Sequence, residues 1–164
     1  MQAVDQVAQP DSELKKISII VSKGAFDQAY PALVLANAAR MSGIEANLFF
    51  TFWGLDVITN KCVDKLHVPT VGNPSMHIPT MVGGLPGMQS LASKMMKKQM
   101  AKLDLPDVRE FVEMLDDAGA GLYGCQMAMD MFQRTKEDLL PQVKDVLTAM
   151  DFYDLAAGGQ IIFI

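Results

Sequence analysis

Cys125 lies in the segment GLYGCQMAMDMF, residues 121–132, where an apolar stretch with strand character runs directly into a second apolar run. Upstream, Val108, Phe111, Val112 and Leu115 recur at the i, i+3, i+4, i+7 spacing of one helix face, and Gly119 can end that helix. The order reads helix, strand, cysteine, helix. In an α/β sheet, ligands and chemistry gather beyond the carboxyl ends of the strands, and a helix amino terminus at that edge offers free N–H groups and partial positive charge. Such surroundings favour the thiolate, the form of cysteine that acts as a nucleophile. The competing account is a buried cysteine acting as a small hydrophobe.

Lys23 and Gly24 close the first apolar run of the chain, and Trp53 and Gly54 close the second, so all four are expected at the same sheet edge as Cys125. There Lys23 could favour the thiolate or hold an anionic donor, or it is a solvated lysine at a strand end. Trp53 could wall off the site or serve packing alone. Cys62 falls with Leu55 and Ile58 at i, i+3, i+7 and reads as a core residue of a short helix. No cysteine pair has Cys-X-X-Cys spacing, which disfavours a self-contained dithiol oxidoreductase. The histidines, His67 and His77, do not supply a four-ligand zinc site. Met127, Met129 and Met131 suggest a soft copper site, but neighbours in such an i, i+2 series point about 200° apart on a helix and read as packing. Neither glycine-rich nucleotide motif occurs. No metal or cofactor is called for.

The elements that must position these residues follow an α/β order. Residues 16–22 (KISIIVS) form a β-branched run expected to be a central strand. Asp27 can cap a helix in which Tyr30, Leu33, Val34, Asn37, Ala38 and Met41 share a face, with Gly43 as its stop. Residues 45–52 (EANLFFTF) are a second strand, and the spacing allows a right-handed crossover and therefore parallel pairing. Residues 63–105 form a long insertion, helical in part over 89–102, where Leu91 and Met95 accompany Lys94, Lys97, Lys98 and Lys102. Segments that long usually serve as lids, binding surfaces or oligomer contacts. A short strand near 143–146, a helix over 147–157 and a closing strand at 160–164 (QIIFI) complete a doubly wound, three-layer sheet of four to five mostly parallel strands.

Composition bounds the function. With 164 residues, half of them hydrophobic and a fifth charged, the chain suits a single domain over 15–164 preceded by a flexible leader at 1–14. A net charge of −5 argues against nucleic acid. Two widely separated cysteines and no secretory pattern fit a reducing cytoplasmic compartment, without a structural disulfide. The stretch over 68–93 holds no Asp, Glu, Lys or Arg, but prolines and glycines interrupt it, so it does not read as a membrane span.

The segments KISIIVSKGAFDQAY (16–30), TFWGL (51–55) and GLYGCQMAMDMF (121–132) resemble the DsrE/DsrF-like family, in its larger branch with a long central insertion. The resemblance covers nearly the whole chain after the leader. It implies a flavodoxin-like fold, a homo-oligomer, and a cysteine that accepts sulfane sulfur from a donor and relays it to a partner thiol, at the position of Cys125. Lys23, Gly24, Trp53, Gly54 and Gln126 are then the candidate substrate-binding residues. Partners would be sulfur-donor and sulfur-acceptor proteins or small sulfane compounds. Methionines of the insertion, Met76, Met81, Met88, Met95, Met96 and Met100 among them, suit an oligomer contact or, as the lesser alternative, a peripheral membrane contact through its amphipathic stretch. The rival reading is a non-catalytic binding or assembly module with a structural Cys125, favoured by the lack of an evident acid, base or second thiol beside it.

Overall fold

The computed structural model describes residues 14–71 and 80–164. His77, Met76 and most of the expected leader lie outside the described residues. Five strands form one sheet in the order β4-β3-β2-β1-β5, every neighbouring pair parallel. They are β1 (Lys16–Val21), β2 (Glu45–Phe50), β3 (Gly121–Cys125), β4 (Asp145–Leu147) and β5 (Gln160–Phe163). The doubly wound sheet expected from the alternating pattern, and the flavodoxin-like fold that the family resemblance implies, are what is observed.

Ile19, Leu48 and Leu122 stand level across β1, β2 and β3, and all three are fully buried. Each such side chain contributes about 2 kcal/mol by leaving water. Against that face lie α1 (Phe26–Met41) and α4 (Val108–Asp117), which also touch each other. The amphipathic reading of α4 holds, since Val108, Phe111, Val112 and Leu115 are its buried residues. Asp107 caps it by accepting from the Glu110 N–H at 2.9 Å. The opposite face takes α6 (Ala149–Ala156), whose Phe152 ring stacks on Phe49 with centroids 4.8 Å apart. That division follows from right-handed crossovers: β1 to β4 step one way across the sheet, and the chain then returns to set β5 beside β1.

Three local expectations are corrected. Helix α1 packs through Phe26, Ala29, Ala32, Leu33, Ala36 and Ala39, while Val34 and Met41 face solvent. The helix is apolar on nearly every side, so hydrophobicity could not choose its inner face, and small alanines let it lie close to the sheet. Its cap position is Ala25 rather than Asp27, which sits in the first turn. Residues after β2 wind as 3-10 segments, Phe52–Ile58 and Val63–Lys65, so Cys62 is a half-buried turn residue and not part of a packed helix face.

Part of the insertion is helical. It contains α2 (Thr80–Gly83) and α3 (Met88–Ala101), the latter close to the helix expected over 89–102. Ser93 Oγ accepts from the Val68 N–H at 2.9 Å and donates to the Gln89 carbonyl, and Lys97 Nζ lies 5.6 Å from the Phe26 ring centroid. Leu91 and Met95 remain exposed. Among the described residues no helix is long and apolar enough to cross a membrane.

Candidate functional site

Cys125 ends β3, level with Leu147 of β4, and is the cap residue of α5 (Gln126–Met131). Its backbone is still extended, with φ −84° and ψ 121°, so the chain turns from strand to helix at the sulfur-bearing residue itself. The sequence order therefore places the cysteine where strand-end chemistry gathers. The first-turn amides of α5 have no partner within the helix, although a six-residue helix contributes a small dipole. Cys125 is 5 % exposed, so the sulfur is covered rather than open at the rim. Gln126 is exposed, and its amide donates to Asp130 Oδ1 at 2.7 Å, so its side chain is spent on its own helix.

At the carboxyl ends of β1 and β2 the connecting loops meet backbone to backbone. A Cβ on Gly54 would fall 2.0 Å from the Val21 carbonyl oxygen, and one on Gly24 would fall 2.3 Å from the Trp53 carbonyl oxygen. Only glycine fits at either position. The Gly54 N–H donates to the carbonyls of Ser22 and Thr51, and the Thr51 N–H donates to Val21, which closes the crossing. These two glycines thus shape this edge of the sheet. Beside the crossing is a cavity of about 350 Å³ lined by Lys23, Gly24, Ala25, Gln28, Trp53 and Asp56. The structure brings Lys23, Gly24 and Trp53 together there, while Cys125 and Gln126 are not among its lining residues. Two other cavities, about 230 and 290 Å³, flank Lys97 near α3 and contain neither cysteine.

Trp53 is 62 % exposed and packs on Phe132, the residue that ends α5, with ring centroids 4.8 Å apart. The guanidinium of Arg134 lies 5.3 Å from the centre of that same Phe132 ring. Arg134 donates to Asp56 Oδ1 at 2.5 Å and to Thr59 Oγ1 at 2.8 Å, and its Nη2 is 3.8 Å from the Cys62 sulfur. That contact has the guanidinium donating to the sulfur, while burial, followed by the charge of the Asp56 carboxylate, pushes the Cys62 thiol above its ordinary range. Asp56 and Arg134 were not among the residues singled out from sequence. The available signal was a lone acid in the otherwise apolar run FFTFWGLDVI, since a charge in such a setting needs a partner.

The model of the DsrE/DsrF/DrsH-like family matches residues 13–164. The chain belongs to this family. Within it, the chain is 34 % identical over 157 residues to the sulfur carrier protein DsrE2 of Allochromatium vinosum, spanning 91 % of this chain and 97 % of that one. It is 26 % identical over 157 residues to the uncharacterized protein YrkE of Bacillus subtilis, with 93 % and 98 % covered. The crystal structure of the ychN protein from E. coli superposes with a TM-score of 0.55 over 92 % of this chain and 100 % of that one. At 15 % identity that likeness is one of fold. Membership of the DsrE/DsrF/DrsH-like family agrees with the resemblance carried by the three sequence segments around β1, β2 and Cys125.

Proposed function

We propose that the protein is a sulfur carrier in which Cys125 accepts sulfane sulfur and relays it to a partner thiol. The observation that carries this reading is the likeness, over nine-tenths of the chain, to a protein named as a sulfur carrier. Cys125 has the position such chemistry needs, at a strand-to-helix turn on the edge where the Lys23–Trp53 cavity also opens. In the loading step the Cys125 thiol attacks the terminal sulfur of a donor persulfide, R–S–SH. A new S–S bond forms on Cys125 as the donor's S–S bond breaks, the donor leaves as the thiol RSH, and Cys125 becomes Cys–S–SH. No external oxidant is required, because the sulfane oxidation level moves with the sulfur atom. Unloading is the same exchange onto an acceptor thiol.

Lys23 is the cation on this edge suited to an anionic donor, with Trp53 as an exposed apolar wall. Cys125 is covered, so loading includes a local opening step before the sulfur atoms meet. The reading extends to a single cytoplasmic domain that works as a homo-oligomer and meets donor and acceptor proteins in turn. Incubating the reduced full chain with polysulfide or a persulfidated carrier and reading the intact mass tests it. A one-sulfur adduct that maps to Cys125 and is absent in Cys125→Ser is expected. If no donor leaves sulfur on Cys125, the carrier reading fails, and the rival, an assembly module with a structural cysteine, takes its place.

A further inference from the structure

The charge of the chain changes sign abruptly after residue 103. Residues 65–103 hold Lys65, Lys94, Lys97, Lys98 and Lys102 and neither Asp nor Glu, whereas residues 104–117 hold six acids and Arg109 as their one base. The structure sorts these charges onto two helix faces. On α3, Ala92 and Ser93 are buried and Met96 and Met100 pack on the core, which turns Leu91, Lys94, Met95, Lys98 and Lys102 outward at i, i+3, i+4, i+7 and i+11. On α4, Val108, Phe111, Val112 and Leu115 are buried, which turns Glu110, Glu113, Met114 and Asp117 outward at i, i+3, i+4 and i+7.

Each helix thus shows an exposed stripe of one charge sign with apolar side chains set into it. Elsewhere charges are matched, Lys16 with Glu45, Arg109 with Asp64 and Lys136 with Asp145 among them. Among the described residues none of Lys94, Lys98, Lys102, Glu110, Glu113 and Asp117 forms an ion pair. No ion pair joins α3 to α4 in one chain, and the two cavities beside Lys97 lie between α3 and the first residues of α4. The stripes also match in length: Lys94 to Lys102 spans about 12 Å of helix axis and Glu110 to Asp117 about 10 Å, at about 1.5 Å per residue.

A basic helix also invites comparison with one that lies on anionic lipid. Such a helix turns a continuous apolar face to the lipid and its lysines away. The apolar face of α3 is instead spent on the core, and its outer stripe mixes lysines with Leu91 and Met95. That mixture fits a protein face carrying carboxylates and a methionine, and this chain displays one on α4.

We infer that the α3 stripe of one copy seats on the α4 stripe of a second copy, with Lys94, Lys98 and Lys102 meeting Glu110, Glu113 and Asp117 around a seam of Leu91, Met95 and Met114. The inference rests on the homo-oligomer reading above and supplies its surface. One exposed ion pair adds little to association, but a row of them beside desolvated apolar side chains sets register and partner choice. A net charge of −5 on each copy opposes association in general, and at this contact the signs are opposite.

Sedimentation velocity of the full chain over a range of concentrations, at low salt and at about 0.5 M salt, tests the surface. The parent is expected to associate, about tenfold more weakly at the higher salt. Two double variants reverse one stripe each: Lys94→Glu with Lys98→Glu, and Glu110→Lys with Glu113→Lys. Each alone is expected to associate about tenfold more weakly than the parent at low salt. An equimolar mixture of the two is expected to regain parental association, because every seam between unlike copies again joins opposite charges. Rescue on mixing also shows that both variants keep their fold. Association that neither reversal weakens overturns this surface and leaves the homo-oligomer reading standing, while a parent monomeric at every concentration overturns both. Weakening that mixing does not restore overturns the pairing of these two stripes. So does a monomeric parent that sediments with phosphatidylserine vesicles through Lys94 and Lys98, which would give α3 to a lipid surface instead.

Discussion

The two cysteine corners of the molecule restrain sulfur by opposite means. At Cys125 the restraint is steric: the residue is buried at the end of β3, and its side chain makes no capping hydrogen bond to α5. At Cys62 it is largely electrostatic: the sulfur is more open, but partial burial and the charge of the nearby Asp56 carboxylate, itself paired with Arg134, disfavour the thiolate. Steric cover is relieved by motion, which a docking partner can provoke. A paired carboxylate is relieved only by changing a charge. A covered sulfur is therefore the better carrier candidate and a muted one the better bystander, although exposure alone would rank them the other way.

The strongest perturbation of this contrast is Gly54→Ala. The added methyl group meets the Val21 carbonyl at 2.0 Å, so the loops after β1 and β2 must separate. A loss of about 3 kcal/mol in urea unfolding is expected, with trapping of both cysteines accelerated together. A variant as stable as the parent would show that the corners do not share this foundation. Lys23→Ala acts on one corner only. Sulfur uptake from anionic polysulfide should fall about threefold and lose much of its salt dependence. Trapping of Cys125 by uncharged iodoacetamide should stay as it was.

The smallest effect concerns pH. Folding raises the Cys62 pKa above its ordinary value of 9.0, so the folded state favours the protonated thiol. The stability this confers is fully present below about pH 9 and is lost as pH rises through the folded value. The parent should therefore lose more stability than Cys62→Ser between neutral pH and strongly alkaline pH, in parallel thermal melts. Identical losses would place the thiol outside the influence of Asp56.

The sheet was legible in the sequence because its central strands are short β-branched or aromatic runs flanked by charges or glycine, and α4 because its apolar residues occupy one face alone. Helix α1 was legible as a helix but not in orientation, since Val34, Leu35 and Met41 look as suited to a core as Ala32 and Ala36. The position of Cys125 at a strand end could be read directly, whereas its burial depends on neighbours from several elements that spacing does not reveal. Arg134 and Asp56 lie 78 residues apart, and each reads alone as a solvated charge. Their pairing exists only once the 3-10 segment Phe52–Ile58 packs against α5.

The crossing of the loops after β1 and β2 has a mechanical consequence. Backbones joined by hydrogen bonds at van der Waals distance shift as one piece, so this side of the sheet edge behaves as a fixed jamb. On the other side of that edge stands a six-residue helix whose Gln126, Met127 and Met131 reach solvent and whose far end rests, through Phe132, against Trp53 of the same jamb.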